Sequence, residues 1–224
     1  MKKINNIYGS QYYEYLAAKT LARFVFKNRV LIELSDKPDL RVKKGKIGIE
    51  VTRGTTDLLA RYDSFCNMYF NQKNSKKEIN EKAEKMKVNA YAFGISKTKS
   101  RGISLKGPFD LEALKTTIAT IIDGKISKIA EYDRKYRKNC IYVFCGWTYE
   151  KNEVLEIVNL VKHIDGIDVI YFDCNNNFFK YESKKMSISS TYKFERRDII
   201  IDSVKYAESL HNRHLRKYLV KFVR

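Results

Sequence analysis

At 224 residues the chain is long enough for one substantial hydrophobic core and short for two, and its 44% apolar content excludes a disordered protein. Lys and Arg number 44 against 26 Asp and Glu, a net charge of +18 whose self-repulsion a polyanionic partner such as nucleic acid would relieve. The N-terminal MKKINNIYGSQYYEYL has no apolar signal-peptide run and no stretch is apolar enough to span a bilayer, so a cytoplasmic protein without membrane contact is expected.

From about Ser10 to Asn28 the pattern is helical, with Ala17, Ala18, Leu21, Phe24 and Val25 recurring on one side. Glu14 falls in the middle of that stripe, where an unpaired carboxylate is costly and calls for a cation or a metal-bound water. Tyr12, Tyr13 and Tyr15 cluster beside it, either packing on a sheet or offering rings to unpaired bases. Three short strands follow, Val30–Leu34, Asp39–Val42 and Lys46–Thr52, the last two joined by the tight basic turn Lys43-Lys44-Gly45. Alternation puts Ile47, Ile49 and Val51 on one face of the third strand and Gly48, Glu50 and Thr52 on the other. Asp39 opens one strand and Glu50 nears the end of its antiparallel neighbour, so the two carboxylates can converge. Such a pair repels unless a cation lies between them, and hard oxygen donors favour Mg²⁺ or Mn²⁺. The alternative is that Asp39 merely starts a turn after Pro38 and Glu50 is solvated.

A helix is expected from Thr55 or Thr56 through Leu58, Leu59, Tyr62, Phe65, Met68 and Tyr69. Residues 72–88 are densely charged and read as an exposed helix or insertion, and residues 96–108 as a basic loop rich in turn residues. Asp110 to Lys138 reads as a long helix with a weak point at Gly124. Its core stripe runs through Leu111, Leu114, Ile118, Ile122, Ile129 and Tyr136, and Lys125 falls near the centre. A lysine there reaches a carboxylate cluster, or else Gly124 breaks the helix and leaves it exposed. Cys140–Trp147 reads as a buried strand, Asn152–Ile164 as a helix and Asp168–Asp173 as a strand. Residues 178–224 add one or two strands and a basic terminal helix.

Cys66, Cys140, Cys145 and Cys174 show no CxxC spacing and are expected to be reduced and buried, and His211 and His214 lack a third zinc ligand. Phosphate contacts are expected from Lys43, Lys44, Arg53, Lys97, Lys99 and Arg101, with Arg213, Arg216, Lys217 and Lys221 on the terminal helix. The element order predicts an α/β fold with a mixed central sheet flanked by helices. It is expected to form a single domain over residues 1–224, with a charged helical insertion at about 72–108 and a C-terminal αβ extension at about 151–224.

A helix carrying Glu14, then Pro38-Asp39, then Glu50-Val51-Thr52 resembles the PD-(D/E)xK nuclease superfamily, over roughly residues 9–150 and most closely over 37–53. The resemblance implies a restriction-endonuclease-like αβββαβ core. It also implies a Mg²⁺- or Mn²⁺-dependent endonuclease that hydrolyses DNA phosphodiester bonds, in defence or a mobile element. By that likeness Asp39, Glu50 and the Val51 carbonyl bind the metal, with Glu14 assisting from the first helix. The family's motif lysine stands two residues after the glutamate, where this chain has Thr52. In related nucleases a helical lysine substitutes for it, and Lys125 fits that role, with Arg53 and Lys128 as the other candidates. DNA is expected as partner ahead of RNA, and a homodimer is among the expectations because many such nucleases pair to cut both strands. Thr52 favours one alternative, a catalytically silent nucleic-acid-binding or regulatory protein of the same fold, and the basic face leaves open another, an inhibitor that binds a ribonucleoprotein.

Overall fold

In a computed structural model the chain is described over residues 10–42, 46–55, 65, 75–85, 90–95, 100–105, 110–132, 136–175, 177–191, 197–211 and 222–223. It divides into two compact units, one made of Met1–Gly54 with Ile118–Arg224 and the other of Thr55–Thr117.

The first unit opens with α1 (Ser10–Thr20), which widens into a π-helical turn over Leu21–Val25. There the Phe26 N–H reaches back to the Leu21 carbonyl at 2.9 Å. The helix stops short of the expected Asn28 because Lys27 (φ 49°) and Asn28 (φ 56°) turn left-handed. Strands β1 (Ile32–Leu34), β2 (Leu40–Val42) and β3 (Ile47–Arg53) form an antiparallel meander in which Leu40 pairs with Ile49. The turn expected at residues 43–45 lies outside the described residues, as does most of the helix expected from residue 55 or 56.

In the second unit, α2 (Lys76–Lys85) starts at a reciprocal cap, the Ser75 N–H bonding Glu78 Oε2 at 2.6 Å and the Glu78 N–H bonding Ser75 Oγ at 3.2 Å. Ile79 and Ala83, one turn apart, are its buried side chains amid the charge. Strands β4 (Ala90–Ile95) and β5 (Ser100–Leu105) follow as an antiparallel pair with Ala90 opposite Leu105. Over 100–105 this corrects the basic loop expected at 96–108, whose remaining residues lie outside the described ones. Arg101, Ile103 and Leu105 alternate with Ser100, Gly102 and Ser104, a strand period that the turn-forming residues obscure.

Helix α3 (Leu111–Glu131) begins where Asp110 Oδ1 accepts the Ala113 N–H at 2.9 Å and runs unbroken through Gly124. It ends at Glu131, well before the expected Lys138. Strand β6 (Lys138–Phe144) then lies parallel to β3, and after α4 (Lys151–Leu160) strand β7 (Val169–Cys174) lies parallel to β6. Strands β8 (Asn177–Glu182) and β9 (Ser187–Thr191) continue antiparallel, α5 (Arg197–His211) follows, and β10 (Phe222–Val223) pairs with β1. Among the described residues this gives one eight-stranded mixed sheet, ordered β10-β1-β2-β3-β6-β7-β8-β9.

The central parallel strands are apolar on both faces because both are covered. On one face Ile49, Val51, Tyr142, Phe144 and Tyr171 pack with Leu16, Ala17, Ala18 and Leu21 of α1 and with Ile199 and Ala207 of α5. On the other, Ile141, Val143, Ile170 and Phe172 are equally buried. Helix α3 lies over that second face. A Cβ placed on Gly54 would stand 2.6 Å from Ile118 Cγ1 and 3.3 Å from Val143 Cγ1. Cys140, Cys145 and Cys174 are buried and free, and burial pushes the Cys140 thiol up to about 12, which keeps it protonated; Cys66 lies outside the described residues. No helix among the described residues is long and apolar enough to cross a membrane.

Candidate functional site

Gly48 on β3 lets the chain before β2 close in. A Cβ there would meet Pro38 Cγ at 2.9 Å and Tyr136 Cγ at 3.0 Å, so only hydrogen leaves room. Pro38, joined to Lys37 by a cis peptide, brings Asp39 against β3. Asp39 Oδ2 accepts the Val51 N–H at 2.7 Å across that contact, which anchors the carboxylate one residue beyond Glu50. Glu50 itself is 2% exposed, a burial that a carboxylate tolerates only with close partners.

Those partners come from α3 and the residue that follows it. Lys125 Nζ lies 2.7 Å from Glu50 Oε2 and 3.5 Å from Asp39 Oδ2, bridging the two carboxylates. The Tyr132 hydroxyl donates to the other oxygen, Glu50 Oε1, at 2.7 Å. Glu14 enters the same electrostatic neighbourhood from α1. Burial first, and then the negative charge of Asp39, push its carboxyl up to about 7, against the pull of Lys125. Burial likewise raises Asp39 above the usual carboxylate range, opposed by the Val51 N–H and Lys125. Burial draws the Lys125 ammonium down, but its bond to Glu50 and the charges of Asp39 and Glu50 outweigh that and leave it above its ordinary value.

The structure therefore gathers Glu14, Asp39, Glu50 and Lys125, and it decides the open reading of Lys125. The helix passes Gly124 intact and the ammonium faces inward. Lys128 is exposed. The Arg53 guanidinium lies 4.5 Å over the Tyr13 ring. The neighbouring tyrosines also find partners within the fold: Tyr12 is 6% exposed in the core and Tyr15 stacks on Tyr206 at 4.1 Å. Lys43, Lys44, Lys97, Lys99, Arg213, Arg216, Lys217 and Lys221 lie outside the described residues, and Arg101 is placed on β5.

Asp39 and Glu50 offer carboxylate oxygens, the hard donors that divalent cations such as Mg²⁺ prefer. Two carboxylates already converge on one positive charge, the Lys125 ammonium, at hydrogen-bonding range of both. Among the described residues no group of three or more His, Cys, Asp and Glu side chains could hold an ion by itself. Mg²⁺ suits such a sparse site, since it keeps several waters and takes one or two carboxylates with substrate phosphate. Asp39, Glu50 and the Val51 carbonyl are the groups that could hold it. Comparison with protein-family models, curated proteins and solved structures gives no significant match.

Proposed function

We propose that this chain is a Mg²⁺- or Mn²⁺-dependent endonuclease of the PD-(D/E)xK kind that hydrolyses DNA. The observation that carries the reading is Lys125, whose ammonium lies 2.7 Å from Glu50 and 3.5 Å from Asp39 and so supplies from α3 the cation that Thr52 lacks. With α2, β4 and β5 of the second unit set aside, the order α1, β1–β3, α3 and a parallel β6 supports it, being that of a restriction-endonuclease-like core.

In this reading Asp39, Glu50 and the Val51 carbonyl hold the ion. When bound, the ion makes a coordinated water more acidic and offsets charge on the phosphate. Lys125 orients the attacking water toward phosphorus and offsets negative charge that develops on the phosphoryl oxygens. Glu14, titrating near neutrality, takes the proton that the water gives up. The excess of basic residues draws the phosphodiester backbone toward the protein.

The test is a cleavage assay on supercoiled plasmid, linear duplex, single-stranded DNA and RNA, in Mg²⁺, Mn²⁺ or EDTA. Cutting should require the metal and disappear in Asp39→Ala and Glu50→Ala while DNA binding persists. Lys125→Ala should lose roughly 10²–10³ in rate, as when a transition-state donor is removed. Full activity in both carboxylate variants, or undiminished cutting in EDTA, defeats the proposal. Thr52 favours a second reading, a nucleic-acid-binding protein of the same fold that does not hydrolyse. Binding that survives Glu50→Gln, with no cutting in any lane, selects that one.

A further inference from the structure

Tyr132 follows the last residue of α3 and belongs to no motif. Its hydroxyl donates to Glu50 Oε1 at 2.7 Å while the Lys125 ammonium takes Oε2 at the same distance, so the two oxygens of one carboxylate are engaged separately. Lys125 and Tyr132 stand roughly two helical turns apart, the spacing that brings both to one side of α3. A phenol is ordinarily protonated near neutral pH, and an ionised carboxylate oxygen only accepts, so the hydroxyl is the donor in this bond.

We infer that Tyr132 is a positioning residue for the ion-binding carboxylate. By holding Oε1 it fixes the orientation of the Glu50 carboxylate, with Oε2 turned to the Lys125 ammonium that it shares with Asp39. The inference rests on the nuclease reading of the same site and adds to it a residue that touches neither ion nor substrate. Hydrogen bonds to a ligating carboxylate set its orientation, and losing such a partner costs about 10–100-fold in metal affinity or activity. The Tyr132 ring, with Ile126, Ile129 and Tyr136, lines a cavity of about 440 Å³, so removing the hydroxyl alone leaves the ring in place.

The experiment uses the full chain and Mn²⁺ as the probe. Affinity is measured by titration calorimetry, the half-saturating Mn²⁺ concentration by plasmid cutting, and the thermal midpoint without metal. Tyr132→Phe should bind Mn²⁺ about 10-fold or more weakly and raise the half-saturating concentration in step. Its rate at saturating Mn²⁺ should return close to that of the unaltered chain. Unaltered Mn²⁺ affinity in Tyr132→Phe overturns the assignment and leaves the nuclease reading standing. A lowered midpoint with unaltered affinity overturns it too, since the hydroxyl would then serve only the fold. An unaltered chain that neither binds Mn²⁺ nor cuts DNA overturns both.

Discussion

Glu14 sits near Asp36, Asp39, Glu50 and Lys125, and burial with the negative neighbours outweighs the lysine. In the unfolded chain its carboxyl titrates near 4.5, in the fold near 7. Across that window the folded protein holds a proton that the unfolded chain releases, so this group's stabilising contribution is complete below about pH 4.5 and is lost as pH rises through about 7. The raised Asp39 acts in the same direction. Calorimetric thermal midpoints should therefore fall from about pH 5 to about pH 8, and Glu14→Gln should flatten that slope and raise the midpoint at the alkaline end. An identical slope in the variant would show that Glu14 is not the titrating group. Glu14 and Lys125 were legible in the sequence because each interrupts an apolar stripe with a charge, an anomaly that demands a partner. Tyr132 was not, since an aromatic residue at the end of a helix reads as core and its partner is 82 positions away in sequence.

Two glycines show how much the elements depend on close approach. Gly48→Ala would drive a methyl group against Pro38 and Tyr136, whose atoms lie 2.9 and 3.0 Å from the new Cβ, and should cost about 1–3 kcal/mol. Gly124, in the middle of α3, has nothing within 4 Å of its missing Cβ, so Gly124→Ala should stabilise by about 0.5–1 kcal/mol. Urea denaturation reads both, and a pair of equal signs would contradict the packing described. Strands β1–β3, β6 and β7 were legible because their apolar alternation and the prolines and glycines around them agree, whereas residues 178–224, read as one or two strands, hold most of β8 together with β9 and β10. β5 was not, because Ser100, Gly102 and Ser104 are individually turn formers and only their pairing with β4 makes them a strand. The end of α3 was misplaced because the apolar stripe continues to Tyr136 after the helical backbone has stopped.

For the whole molecule, the proposed binding of DNA should take its character from the +18 charge. Affinity for duplex DNA should fall about 10³-fold or more between roughly 50 and 200 mM salt if many phosphates are engaged. Filter binding across that range measures it, and a flat response would remove the phosphate-tracking role. Composition gives the net charge directly, whereas the division of the chain into two units depends on which residues meet in space. The insertion expected at about 72–108 falls within the second unit, which runs over Thr55–Thr117. Gly54 and Ile118, where the first unit breaks off and resumes, lie in direct contact. The entropy of closing a loop between two such points grows only logarithmically, about 0.6 kcal/mol for each doubling of its length. The intervening segment can therefore lengthen, shorten or be exchanged over evolutionary time while the scaffold behind the carboxylates is inherited unchanged, and a protein engineer has the same socket to use.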